Sequence, residues 1–133
     1  MFDITNTTRR ASSKRVLSLP FQKIAKHILG NAYELSLVIC GDTLATAMNK
    51  QYRQKSYSPN ILSFPLTKKS GEIFLNIRVA EREAKKYIIP LNVRVGYLFI
   101  HGCVHLSGLN HGEQMDRLEK KYLKQFDICH PES

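Results

Sequence analysis

Acid and cysteine are both scarce in this chain, and each shortage narrows what the protein can be. Twenty lysines and arginines stand against 11 aspartates and glutamates, a net charge of +9. Between Asp42 and Glu72 there is no acidic residue, while Lys50, Arg53, Lys55, Lys68 and Lys69 all fall in that interval. A basic stripe of this kind attracts polyphosphate, nucleic acid included; a solvated, solubilising face is the alternative that charge alone leaves open. The three cysteines, Cys40, Cys103 and Cys129, are odd in number and form no CxxC pair. That excludes a disulfide framework and a thiolate zinc site, and it fits a reducing compartment. No run reaches the roughly 20 apolar residues of a membrane span, and residues 1–15 lack a signal-type apolar stretch. The expectation is a cytoplasmic protein with no membrane partner. At 133 residues and 43% hydrophobic content, it has the size and the apolar mass for a single domain with a real core.

What the chain does have is histidine in a telling pattern. His101, His105 and His111 read HxxxHxxGxxH. The four-residue step puts His101 and His105 on one face of a helix, about 6 Å apart along its axis. Had the helix continued, His111 would lie about 15 Å from His101 along the axis, far beyond a metal bond of about 2 Å, so the chain has to turn back. Gly108 stands where the turn is needed, and glycine accepts the left-handed conformation that ends many helices. Three imidazoles suit one zinc ion per chain and leave a fourth position for water, the catalytic rather than the structural arrangement. Metzincin proteases share the spacing, but the glutamate they use as general base is replaced here by Gly102, a mark against peptide hydrolysis. An amphipathic helix whose histidines merely border the core is the bland alternative. Cys103, about 200° round the helix from His101, reads as packing.

Residues 1–15 include Arg9, Arg10, Lys14 and Arg15, show no periodicity and read as a basic, flexible arm; residues 16–133 read as one domain. Helical spacing of apolar residues predicts a helix over 20–29, stopped by Gly30. A β-branched run over 35–40 predicts a strand, followed by a helix capped by Asp42 and carrying Leu44, Ala45, Met48 and Tyr52 inward. Residues 61–64 and 72–76 read as strands of a hairpin, 77–87 as a helix, and 91–107 as a long helix apolar nearly all round, as a helix at the centre of a domain should be. A last amphipathic helix is predicted over 114–126. The class is α+β, a small mixed sheet covered by helices, its buried central helix carrying the metal ligands.

The segment 101–111 resembles the signature HGxLHLxGYDH of the YbeY family of endoribonucleases. A second family motif, close to LNxxYRxKDxPTDVLSFP, is matched by Met48-Asn49-Lys50-Gln51-Tyr52-Arg53-Gln54-Lys55 and then by Asn60-Ile61-Leu62-Ser63-Phe64-Pro65, with Gly71-Glu72-Ile73 beyond it resembling the family's GDI or GEI strand start. The similarity spans roughly residues 33–126. It implies a zincin-like fold and a zinc-dependent, single-strand-specific endoribonuclease acting in 16S ribosomal RNA 3′-end maturation and ribosome quality control. Single-stranded and ribosomal RNA would be its partners, with small-subunit ribosomal proteins as further candidates. By the same resemblance His101, His105 and His111 are the zinc ligands and Arg53 is the active-site arginine. The chain departs from the family pattern at Ser58-Pro59-Asn60, where PTD or PTN is common, and at Asn110, where Asp is common.

The chemistry stands without the name. Zinc on three histidines lowers the pKa of water to about 7. A guanidinium can grip two phosphoryl oxygens in a fork as charge builds on them, which makes Arg53 the candidate catalytic residue. A surface arginine at a helix end is its plainer reading. Lys50 and Lys55 are candidate substrate contacts. Tyr57, in a loop, is a candidate to stack on an unpaired base, whereas Tyr52 reads as core. Ser63 either lines the cleft or bonds to nearby backbone. Phe64 and Pro65 read as packing, and His27 and His130 as exposed. Two other functions stay open: a non-catalytic ribosome-assembly or RNA-binding module with a structural zinc, and a metal-dependent hydrolase of another substrate.

Overall fold

A computed structural model describes residues 1–8, 14–109 and 112–130. In chain order the described elements are β1 (Phe2–Asn6), α1 (Lys14–Leu17), α2 (Phe21–Leu29), β2 (Glu34–Cys40), α3 (Asp42–Arg53), β3 (Ile61–Thr67), β4 (Ser70–Asn76), α4 (Ile77–Tyr87), α5 (Leu91–Leu106) and α6 (Glu113–Gln125). The strands form one mixed sheet in the order β1-β2-β4-β3. β1, β2 and β4 run parallel, and β3 returns antiparallel beside β4 as the second edge. The architecture is the α+β one expected, a small mixed sheet covered by helices.

Alternation decides the face of β2: Leu35, Leu37 and Ile39 are buried while Ser36 and Val38 are half-buried. In register, Leu37 sits beside Ile73 and Ile39 beside Leu75, so one face of the sheet is a continuous apolar surface. Helix α5 lies on it, with α2, α4 and α6 packed around. Its Val95, Leu98, Phe99, Ile100, Cys103 and Val104 are buried, as the nearly all-round apolar sequence predicts. Phe99 meets the ring edges of Phe21 at 4.9 Å and Phe2 at 6.4 Å. Truncating so enclosed an aromatic costs about 3–5 kcal/mol. Burial pushes the Cys103 thiol well above its ordinary range and, with Asp42 close by, raises Cys40 to about 11. Both cysteines therefore act as small apolar residues.

Two local expectations fail. Residues 2–6, read as part of a loose arm, form edge strand β1, paired with β2 from Phe2–Leu35 to Asn6–Ile39. Only Phe2 is partly covered while the other four residues are exposed, so no hydrophobic alternation announced the strand; pairing with β2 holds it. Asp42 does not cap α3. Gly41 takes the cap position with no side-chain bond, and the Asp42 carboxylate accepts instead from Ser58 Oγ at 2.6 Å, Asn76 Nδ2 at 3.0 Å and both terminal nitrogens of Arg82. These donors, Arg82 first, hold its pKa well below the usual carboxylate range. Buried Asn76 also caps α4, its Oδ1 accepting from the backbone N–H of Arg78 and Val79.

Candidate metal and phosphodiester site

The end of α3, the loop that follows it, β3 and the open side of α5 enclose a cleft of about 460 Å³. Arg53, Tyr57, Ser63, His101 and His105 all line it, so five residues singled out from sequence, drawn from three separate stretches of chain, meet in one place. Lys50 and Lys55 are exposed and are not among the lining residues. His111, the expected third ligand, lies outside the described residues, as does Asn110.

On α5 the imidazoles of His101 and His105 have centres 5.9 Å apart at an interplanar angle of 78°. Two imidazoles sharing a tetrahedral ion at bonds of about 2 Å need centres about 5 Å apart, so this pair fits a zinc ion with a small side-chain adjustment. Among the described residues no third histidine, cysteine or carboxylate completes a ligand set. The helix ends as its glycine suggests. Gly108 has φ +99°, a conformation that L side chains rarely adopt, and its N–H donates to the His105 carbonyl at 3.1 Å.

His101 is held from behind. Its Nδ1 pairs with Oε1 of Glu119, a carboxylate from α6 that is only 7% exposed. A neutral imidazole donating from Nδ1 carries its lone pair on Nε2, the tautomer that a metal takes. Sequence reading missed Glu119, although a signal exists: it follows Met115 and precedes Leu123 by four residues, a charge on the inward stripe of an amphipathic helix.

Gly102 also has a packing reason. A Cβ there would lie 2.9 Å from Ile61 Cδ1, 3.0 Å from Ser63 Oγ and 3.2 Å from Ile73 Cδ1. A side chain here, such as the metalloprotease glutamate, would have to displace these side-chain tips of the sheet. Ser63 donates to the Gly102 carbonyl at 3.4 Å, a long bond, so both readings of this residue hold in part: it lines the cleft and touches backbone.

Arg53 is the last residue of α3; Gln54 follows at φ 56° and turns the chain into the loop. Asn49 Nδ2 donates to the Tyr57 carbonyl at 3.1 Å. Ser58 is tied to Asp42 and Asn76, and Asn60 Nδ2 to both oxygens of Glu83 at 3.3 Å. The loop that carries Tyr57 is thus anchored at three points, two of them through Ser58, where the chain departs from the motif, and Asn60. Tyr57 is 53% exposed, as a stacking residue must be. Tyr52, expected in the core, is 58% exposed and lies against Phe64 with ring centres 5.2 Å apart. Ala45 on the same side of α3 is buried, with Leu44 and Met48 packed beside it, but Tyr52, near the helix end, reaches only Phe64 of edge strand β3.

The far wall was not foreseen. Arg94, only 5% exposed, donates from Nε to Glu83 at 3.1 Å and from Nη1 to His130 Nε2 at 2.9 Å. Its guanidinium also lies over the rings of Tyr87 and Tyr97. His130, expected to be exposed, is 4% exposed and stacked on Tyr97. A terminal segment without periodicity gives no sign that it will fold back.

Comparison with known proteins places the chain in a family. The family model described as "Endoribonuclease YbeY" matches residues 3–127. The chain belongs to the YbeY family. Relatives carrying that name include one from Mycoplasma mycoides subsp. mycoides, 34% identical over 116 residues that cover 72% of this chain and 71% of the relative. Another, from Thiobacillus denitrificans, is 33% identical over 108 residues, 74% of each. The solution structure of the Thermotoga maritima protein TM1509 matches with a TM-score of 0.69 over 95% of this chain and 89% of that one, at 23% identity, and so shares the fold. The family match takes in β1 from residue 3, well before the motif similarity begins at about residue 33.

Proposed function

We propose that this YbeY-family chain is a zinc-dependent endoribonuclease that cuts single-stranded RNA in the cytoplasm, in the maturation of the 16S ribosomal RNA 3′ end and in ribosome quality control. One observation carries the reading: His101, His105 and Arg53 line a single cleft in a basic chain. His101, His105 and His111 would hold the ion, with Glu119 setting the tautomer of His101. A zinc ion so held acidifies a water and polarises a phosphoryl oxygen.

The chain's own groups do the rest. Arg53 offers the planar fork that binds two phosphoryl oxygens and stabilises the charge that grows on them in the transition state. Tyr57 stacks on an unpaired base, which favours single strands over a duplex. Lys50 and Lys55, exposed beside the cleft's arginine, draw in the RNA backbone. A carboxylate base at position 102 is absent, which sets this site apart from a peptidase of the metzincin kind.

The decisive experiment compares cleavage of a short single-stranded RNA by zinc-loaded wild type and by His105→Ala purified identically. Cleavage by the wild type alone is expected. Equal cleavage by both proteins, or none by either, overturns the reading and moves the weight to RNA binding or ribosome assembly.

A further inference from the structure

The C-terminal segment after α6 backs the wall of the cleft, behind Arg94 and Tyr97. Asp127, at φ 56°, ends the helix, and Ile128 N donates to the Leu123 carbonyl at 2.8 Å, turning the chain back onto α5. Ile128 then lies directly on the helix at Gly96, where a Cβ would come within 2.7 Å of its Cδ1. Two residues later His130 fills the space between α4 and α5. Its ring lies flat on Tyr97, centres 4.1 Å apart and 19° from parallel, and meets the ring of Tyr87 at 5.6 Å.

Tyr97 in turn leads to the site. Tyr97 and His101 are near-parallel, 22° apart with centres at 6.4 Å, so three rings follow one another from the tail to a ligand. Arg94 donates to His130 Nε2 and is itself held by Glu83, and both Arg94 and Tyr97 line the cleft with His101. Residues 94, 97, 101 and 105 lie on one stripe of α5, at the i, i+3, i+7 and i+11 steps of a helix. His130, from outside that stripe, touches two of its members, Arg94 and Tyr97.

We propose that His130 is a positioning residue for this site: it fixes Tyr97 and Arg94, and through Tyr97 it restricts the ring of His101. Glu119 holds His101 at Nδ1; the ring stack limits the tilt of its plane. The C-terminal segment is then part of the site. The proposal rests on the reading of His101 as a zinc ligand.

The test is zinc affinity, measured by competition with a chelator on metal-stripped wild type, His130→Gln and His130→Phe, with thermal unfolding of each metal-free protein as a control. His130→Gln keeps an acceptor for Arg94 and loses the ring; His130→Phe keeps the ring and loses the acceptor. The expected result is zinc affinity reduced about three- to tenfold in His130→Gln, the range that one aromatic pair's coupling allows, and restored in His130→Phe. Wild-type affinity in a folded His130→Gln overturns the positioning role, and so does equal weakening in both variants. Wild type that binds no zinc overturns the zinc reading itself and this proposal with it. Should His130→Gln fail to fold, ring-to-ring NOEs in the metal-free wild type decide instead: contacts from Tyr97 to both His130 and His101 are expected, and their absence overturns the proposal.

Discussion

The two walls of the cleft are built on different principles. The near wall, from Arg53 to Ser63, is nearly contiguous in sequence and is anchored by amides and a hydroxyl reaching to Asp42, Tyr57 and Glu83. Its working side chains, Arg53 and Tyr57, are exposed. The far wall, with Arg94, Tyr97, His101 and His105 of α5, is backed by Glu83, Glu119 and His130 from two further helices and the tail, and most of the charge there is buried. Exposed groups can follow a substrate, whereas buried, fully paired charges hold one geometry and are costly to unpair. In the proposed reaction the near wall would grip RNA and the far wall would keep the histidine face of α5 rigid.

That division predicts a graded series. His105→Ala should abolish both zinc binding and RNA cleavage, seen as loss of metal in the purified protein and loss of product; a variant that cleaves at the wild-type rate would detach the far wall from the chemistry. Arg53→Ala should retain zinc and lose about 10²- to 10³-fold in kcat, the usual scale for removing one transition-state donor, and wild-type kcat would remove Arg53 from the mechanism. Glu119→Ala should weaken zinc binding about 10- to 100-fold with RNA affinity unchanged, whereas Glu119→Gln, which keeps an oxygen acceptor, should lose less. If RNA affinity fell and zinc affinity did not, the functions of the two walls would be reversed.

The smallest effect concerns the anchor of the near wall. Asp42, with its pKa held down by Arg82, Ser58 and Asn76, stabilises the fold in its ionised form. Its contribution is fully present above the ordinary carboxylate pKa of about 4 and is lost as pH falls through the depressed folded value. Thermal unfolding of wild type and Asp42→Asn should therefore differ at pH 7 and converge on acidification. A gap that widens in acid would contradict the pairing.

The elements of the domain were legible wherever burial imposes a period. The helices over 21–29, 77–87 and 91–106 and the β3–β4 hairpin all lie close to their predicted places, because each buries one face against a common core and repeats at the spacing of that face. β1 escaped because it is held by backbone pairing at a sheet edge and is exposed on most of its side chains. Tyr52 and Asp42 were misplaced for a related reason: helical spacing says which side of α3 a residue occupies, not whether that side meets core, solvent or a partner from another element.

By itself the sequence determined the family, the α+β class and the chemistry-bearing types: histidines at metal spacing, an arginine at a helix end and a glycine that stops the ligand helix. These are local, since helix geometry and backbone freedom act over a few residues. Only the tertiary structure decided that Arg53 lines one cleft with His101 and His105, that Glu119 stands behind His101, and that His130 returns from the tail to stack on Tyr97. Those pairings join residues 18 to 52 positions apart, and such contacts are selected by how helices and sheet pack together, for which a single chain read in order carries no period.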